Sequence, residues 1–303
     1  MDEIEQLFLK QLSVWELAKN NYEALNHLKV KELNVNNCAF IVQYNPARII
    51  SSGAKVDAES IEKRKCFLCE ENLPKEQMKI VFKGKYSIMV NPFPIFTKHF
   101  TISENSHVPQ AISSRFGDMF DLAKIMNEYV IFYNGPKCGA SAPDHAHFQA
   151  GSKGFLPLEE NWRKHISKEI NENLFVVNYG FYTLFIETDK KRKTISLFEK
   201  IYNKLEVKNG DSEPMMNILT WYENKKWIIA VVPRSKHRPD CFFADGERNF
   251  LVSPASVDLG GVFITPLEKD FERISEKNIE EILNEVCFTK KKFKKIIEKL
   301  QAE

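Results

Sequence analysis

The sequence predicts an α+β protein, a mainly antiparallel sheet flanked by helices, made of two related halves at residues 1–158 and 159–303. Three observations lead there. Strand-like apolar runs dominate 28–44, 79–107 and 129–149, and they return at 175–186, 216–234 and 253–266. Each set holds one long helical stripe, at 113–130 and 194–207, so strands mostly follow strands, and antiparallel packing is the simplest arrangement. A weak internal echo joins the two sets. Residues 228–237 (IIAVVPRSKH) repeat the pattern of 99–107 (HFTISENSH), and 253–261 (SPASVDLGG) occupy the place of 138–147 (CGASAPDHAH) without its histidine pair. That echo reads as a degenerate duplication with chemistry kept in one half.

The elements follow in order. Ile4, Leu7, Phe8, Leu12 and Trp15 fall at helical spacing behind an acidic start, which predicts an amphipathic N-terminal helix rather than a signal peptide. Residues 28–44 form strands or a hairpin turning at Asn36-Asn37, and 45–55 follow as a loop. A hairpin around Lys83-Gly84-Lys85 comes next, then a strand with His99 at its beginning and His107 just beyond its end. Phe116, Met119, Phe120, Ala123, Ile125 and Met126 line one helical face leading into the strand 129–135. After an exposed stretch at 150–158 come a strand at 175–186, a helix at 194–207 and a hairpin turning at Glu223–Lys226. Residues 253–266 return as strand and turn, and 267–300 are helical, with Lys290–Lys295 as a solvated basic face.

Composition narrows the functional classes. With 303 residues, 43% hydrophobic and 28% charged, the chain is an ordinary globular protein, and a net charge of +2 gives no support for nucleic acid as an obligate partner. No apolar run approaches the roughly 20 residues a membrane span needs. Six cysteines without a secretory signal point to a reducing, cytoplasmic setting.

The chemistry concentrates in Tyr133 to Gln149. If the segment leaving Pro143 is extended, His145, His147 and Gln149 share one face at period two, next to a Gly139-Ala140-Ser141 turn. Neutral imidazole is a nucleophile toward phosphorus near pH 7, whereas Gln hydrogen-bonds but does not titrate. Arg48 and Lys55 sit among small residues, which suits an anion contact or plain solvation. Arg234, Lys236, His237 and Arg238 form a basic tetrad able to reach a phosphorylated substrate, or a solvated turn. Cys66 and Cys69 have the C-x-x-C spacing of half a tetrahedral metal site; reduced buried thiols are the alternative. His99 reads as a structural hydrogen-bonding residue, and His27 and His165 as surface residues on helices.

Taken together, N-P-F-P at 91–94, H-F-T-I-S-E-N-S-H at 99–107 and G-A-S-A-P-D-H-A-H-F-Q at 139–149 resemble the histidine-triad (HIT-like) superfamily, in its transferase branch with the H-x-H-x-Q motif. That branch includes galactose-1-phosphate uridylyltransferases, dinucleoside polyphosphate phosphorylases and GDP-hexose phosphorylases. The resemblance implies a nucleotidyltransferase or phosphorylase acting on a nucleoside diphosphate sugar or dinucleoside polyphosphate. His147 would be the nucleophile, and Gln149, in place of the hydrolase branch's third histidine, would hold a phosphate oxygen. It implies that Gly139, Ala140, Ser141 and Asn134 meet the phosphates and that Asn91, Phe93 and Pro94 lie against the nucleoside. It further implies a structural metal held by Cys66, Cys69, His107 and His145, zinc first, with iron also allowed by the ligand types, and no organic cofactor. The implied partners are a nucleotide and a phosphate or sugar-phosphate acceptor, with a homodimer left open. A hydrolase of the same superfamily and a nucleotide-binding protein without turnover are the rival readings.

Overall fold

The computed structural model describes residues 3–302; Met1, Asp2 and Glu303, the outermost residues of the two predicted halves, lie outside the described residues. Among those described, the strands are β1 (Lys29–Val35), β2 (Cys38–Tyr44), β3 (Lys79–Phe82), β4 (Tyr86–Val90), β5 (His99–Glu104), β6 (Tyr129–Asn134), β7 (His147–Ser152), β8 (Ile166–Asn171), β9 (Leu174–Asn178), β10 (Tyr182–Thr188), β11 (Met216–Glu223), β12 (Lys226–Pro233) and β13 (Val262–Thr265). They make a three-stranded sheet, β1-β2-β13, and a ten-stranded antiparallel sheet, β3-β4-β5-β7-β6-β11-β12-β10-β9-β8.

The large sheet is the same five-stranded pattern twice. Read from its two outer edges, the order is 3-4-5-7-6 and 8-9-10-12-11, and in each half one helix, Phe116–Ile125 or Lys191–Lys204, precedes the innermost strand. The halves join where β6 pairs antiparallel with β11, from Asn134 opposite Asn217 to Ile131 opposite Thr220. The echo proposed from sequence is misplaced, however. β12, which carries 228–233, is the counterpart of β7 and not of β5; β5 is matched by β10. Residues 253–261 follow β12 instead of lying between β11 and β12, which are joined by a tight turn at Asn224 and Lys225 (φ 49° and 63°).

One face of the sheet buries Ile102, Ile131, Phe148, Ile218 and Ile229 with residues of the helices at 3–14, 116–125, 191–204 and 290–301. The opposite face packs Val130, Phe132, Leu219, Trp221, Ile228, Ala230 and Val232 with Phe40, Val42 and Phe263 of the small sheet. In the second half this face is filled, with Trp162 stacked on Phe185 at 4.5 Å between ring centroids. In the first half it carries His99, Thr101, Ser103, His147 and Gln149, with Thr101 opposite Gln149 and Ser103 opposite His147 where β5 pairs with β7.

Local differences from the sequence reading have physical causes. The N-terminal helix buries Ile4, Leu7 and Phe8 but breaks at Trp15 (φ −123°, ψ 95°) before resuming over Glu16–Ala24. Asn36 and Asn37 do make the hairpin turn, both left-handed (φ 52° and 64°), a conformation Asn tolerates. The predicted loop at 45–55 holds helical turns at Pro46–Arg48 and Ile49–Ser52. The strand predicted at 175–186 is the β9–β10 hairpin, turning near Gly180 (φ 73°); the apolar residues on both sides of the turn hide it. The stretch at 150–158 is not exposed, since β7 runs to Ser152 and Leu156 and Leu158 are buried. Polar, largely exposed β8 was not foreseen. No helix among the described residues is long and apolar enough to cross a membrane.

Candidate active site

β7 begins at His147, so His145 precedes the strand and does not share its face; only His147 and Gln149 do. The division has consequences for both histidines. His147 is buried, and its Nδ1–H donates to the His145 carbonyl at 2.8 Å, which fixes the tautomer and leaves Nε2 with its lone pair. Nε2 has no protein partner among the described residues, and His147 lines a cavity of about 640 Å³. Burial pulls the His147 pKa down to about 4, against the pull of the His145 carbonyl, so the ring is neutral at pH 7.

Gln149 is oriented by a relay. The Ile95 amide donates to His99 Nδ1 at 3.2 Å, so His99 Nε2 carries the proton and donates to Gln149 Oε1 at 2.9 Å. The Gln149 amide therefore has its NH2 group left to donate. Burial, with Arg48 nearby, lowers His99 to about 3, which keeps the relay neutral; His99 has the structural role expected of it.

The turn after β6 lies beside His147. Gly139, Ala140 and Ser141 line the cavity, and none of their amides donates to a protein acceptor among the described residues, as suits a cradle for an anion. Gly139 has φ +94°, and a Cβ there would stand 2.5 Å from Ala255 Cβ. Thus 253–261 backs the Gly139–Ser141 turn instead of copying it. Asn134 also lines the cavity, but its Oδ1 accepts from Asn217 Nδ2, the Ser256 amide and the Ser256 hydroxyl at 2.8–2.9 Å.

Asn91 and Phe93 line the cavity, with the Asn91 side chain accepting from the Phe93 amide at 2.9 Å and donating to Thr101. Pro94 does not; it is buried with its carbonyl accepting from Asn45, and Pro92 lines the cavity in its stead. Arg48 is a lining residue whose Nη1 donates to the Phe93 carbonyl at 2.7 Å. Burial lowers its pKa to about 10, leaving it charged at neutral pH.

The basic tetrad splits. Arg234 is buried and tied to the Val286, Pro254, Lys236 and His237 carbonyls and to Asn217 Oδ1, and Lys236 pairs with Asp240 and Glu285. His237 and Arg238 line the cavity, as does Lys55. His165 is not on the surface: it is half-buried, edge-on to Tyr179, with Nδ1 3.6 Å from Cys38 Sγ. His27 is exposed.

Cys66, Cys69, His107 and His145 come together, with one ligand atom from each lying within 4.8 Å of the others. Cys66 Sγ is 3.3 Å from His145 Nδ1, and Cys69 Sγ is 3.1 Å from His107 Nδ1 and 3.6 Å from His145 Nδ1. A tetrahedral ion with arms of about 2.0–2.3 Å separates neighbouring donors by roughly 3.3–3.8 Å, so these donors fit one. His145 Nε2–H donates to the Glu104 carbonyl at 2.7 Å, turning the Nδ1 lone pair toward the sulfurs. Burial would raise Cys66, but when the His145 imidazole is protonated its Nδ1–H, with the Leu68 amide, outweighs burial and brings the thiol down to about 6. Burial and the neighbouring Cys66 push Cys69 up to about 11. This four-residue cluster has the donor set to bind a metal ion.

Two residues escaped the sequence reading. Gln110 is fully buried; its Oε1 accepts the His147 amide at 2.8 Å, while its Nε2 donates to the Asn134 and His147 carbonyls at 3.0 Å. Arg64 ion-pairs with Asp144, the neighbour of His145, and lines the cavity. A lone Gln in a loop and an Arg within a charged run carry no spacing signal.

Comparison with known proteins gives concordant results. A family profile described as "Domain of unknown function (DUF4922)" matches residues 7–152, and one described as "GDPGP1-like, C-terminal domain" matches 159–302. Galactose-1-phosphate uridylyltransferase of Clostridium acetobutylicum is 26% identical over 155 residues, 45% of this chain and 31% of the relative. Galactose-1-phosphate uridylyltransferase 1 of Streptococcus pneumoniae is 25% identical over 159 residues, 46% and 32% respectively. The aligned regions thus span about a third of the length of these relatives. Yeast Ap4A phosphorylase Apa2 superposes with a TM-score of 0.62 (18% identity, 95% of this chain and 98% of that one). Its complex with AMP gives 0.64 (17% identity, 95% and 97%), which establishes the shared fold.

Proposed function

Since the chain belongs to the transferase branch of the histidine-triad-like superfamily, we propose that it is a nucleotidyltransferase or phosphorylase working through a covalent nucleotidyl-His147 intermediate. The substrate is a nucleoside diphosphate sugar or a dinucleoside polyphosphate, and the acceptor is phosphate or a sugar phosphate. One observation carries the reading: His147, neutral and held by Nδ1, presents an unpartnered Nε2 to a cavity beside the Gln149 amide and the free amides of Gly139–Ser141.

The Nε2 lone pair attacks the α-phosphorus, a P–N bond forms, and the bond to the departing phosphate or sugar-phosphate oxygen breaks with its electron pair. Gln149 NH2 and the turn amides stabilise the charge that gathers on the non-bridging oxygens. Gln149 offers no titratable proton, so nothing on this strand favours water as the acceptor. The acceptor oxygen then attacks phosphorus from the opposite side and the P–N electrons return to Nε2.

Zinc is the ion the Cys66, Cys69, His107 and His145 donors suit, and its chemistry there is structural, tying 66–69 to the segment that aims His147. The chemistry belongs to 1–158, while 159–303 is a degenerate half that walls the cavity. A cytoplasmic setting fits six free cysteines.

Intact mass after incubation with UDP-, GDP- and ADP-sugars and dinucleoside polyphosphates tests the reading. The expected result is a gain of one nucleoside monophosphate, lost in His147→Ala. No adduct in the wild type across that panel, or an adduct that persists in His147→Ala, overturns it.

A further inference from the structure

The cavity is not walled by the catalytic half alone. The segment after β12 crosses back over the β6–β11 junction, and Arg238 reaches into the same cavity as His147. Its Nε donates to Ser253 Oγ at 3.0 Å, its Nη2 donates to the Ala54 carbonyl at 2.8 Å, and its guanidinium carbon lies 4.1 Å from the centre of the Phe242 ring. These partners fix the guanidinium but carry no negative charge. No carboxylate lies within ion-pairing distance of Arg238 among the described residues, and its Nη1 has no protein partner there. Lys55, next to Ala54, also lines the cavity and has no ion pair among the described residues. Arg64, by contrast, is already matched by Asp144.

A partly buried guanidinium held only by neutral acceptors keeps an unmet attraction for an anion, and its flat fork suits phosphate oxygens. Its position within the cavity says which anion. Ser253 holds Arg238, and Ala255, two residues on, packs against Gly139 of the phosphate turn. Arg238 therefore approaches that turn from the second half, whereas Gln149 and its His99 relay stand on the first half's strands.

Resting on the function proposed above, we propose that Arg238 and Lys55 bind the phosphate group of the acceptor, orthophosphate or a sugar phosphate, that discharges nucleotidyl-His147. The inert half thereby selects what receives the nucleotide. In this step an acceptor phosphate oxygen forms the new P–O bond, the P–N bond to Nε2 breaks, and the electron pair returns to the ring. The acceptor arrives as an anion, so no proton has to move.

Single-turnover discharge of isolated nucleotidyl-His147 protein, with orthophosphate in one arm and glucose 1-phosphate in the other, tests this. In Arg238→Met and in Lys55→Met the adduct also forms more slowly, because the departing phosphate leaves through the same subsite, so discharge is read on adduct already isolated. The acceptor concentration for half-maximal discharge rises roughly tenfold or more, the weight of one charge-assisted contact. Arg238→Lys recovers part of the loss. The arm that saturates identifies the source of the phosphate group. Because Arg238 also braces the seam, Lys55→Met, which removes no hydrogen bond or ion pair among the described residues, separates binding from folding. Unchanged half-saturation in both Met variants overturns the proposal. If the wild type forms no adduct, the function proposed above fails, and equilibrium binding of radiolabelled orthophosphate decides this site alone: wild-type binding weakened in both variants supports it, and equal or absent binding overturns it.

Discussion

Gln110 offers the sharpest test of how His147 is held. The β6–β7 ladder runs in register from Tyr129 opposite Ser152 to Phe132 opposite Gln149, and continued in step it would set Asn134 opposite His147. There the strands part to admit the 135–146 loop, and the Gln110 side-chain amide fills the gap. It accepts from the His147 N–H and donates to the Asn134 C=O, as a peptide group would, and also donates to the His147 carbonyl. Gln110→Ala strips partners from three buried backbone groups at about 1–2 kcal/mol each, a destabilisation of about 3–6 kcal/mol. Gln110→Glu adds a pH signature. One carboxylate oxygen still accepts the His147 amide, but the other faces two carbonyls, so the folded state favours the protonated acid and its pKa rises above the unfolded ~4.3. The sign follows: stability is fully present below about pH 4 and is lost as pH rises through the raised folded value. Urea unfolding of both variants at pH 5 and pH 8, beside the rate of adduct formation, measures this. A loss below about 1 kcal/mol in Gln110→Ala, or a Gln110→Glu protein equally stable at both pH values, refutes the account.

Two further outcomes are expected. His147 near 4, His99 near 3 and His237 near 4 all sit below the ordinary 6.5 because burial disfavours their charged forms. Their neutral burial costs no stability above pH 6.5, and stability falls as pH drops from there toward 4, by about 3 kcal/mol for His147 alone. Adduct formation with a fixed-charge substrate should stay flat from pH 8 to 5, and a kinetic midpoint near 6.5 would contradict the buried, neutral nucleophile. Chelation should release one metal ion per chain and lower the melting temperature, and cobalt added afterwards should give thiolate-to-metal absorption that Cys66→Ser abolishes. A protein that takes up no cobalt disproves the metal centre.

What the sequence revealed and what it hid divide along a physical line. His147 and Gln149 were legible because period-two spacing beside a small-residue turn survives in one dimension, and Cys66 and Cys69 because four residues span two donors of one tetrahedron. The relay from Ile95 through His99 to Gln149 depends on which ring nitrogen meets which backbone atom, information that exists only after β5 and β7 pair. His145 was wrongly put on the strand because alternation cannot say where a ladder begins. Arg234 looked like a substrate ligand because sequence shows a charge but not the five backbone and side-chain acceptors that enclose it.

The repeated strand order raises the question of why the cavity-lining pair His147 and Gln149 stands in one half alone, and the connections bear on it. Between β6 and β7 the chain leaves the sheet for 135–146, so the β6 ladder ends at Gln149, while His147 stays paired with Ser103 of β5 and lines the cavity. Between β11 and β12 the hairpin closes at once, with Glu223 opposite Lys226, so every position of β12 is locked in the ladder and its face is sealed by Trp162, Phe185 and the small sheet. A histidine placed at Ile228 would sit in a packed apolar layer with no phosphate turn beside it. The segment leaving β12 emerges at the junction, where Ala255 packs against Gly139 and where His237 and Arg238 line the cavity. His147 from one half and Arg238 from the other line a single cavity beside the β6–β11 seam.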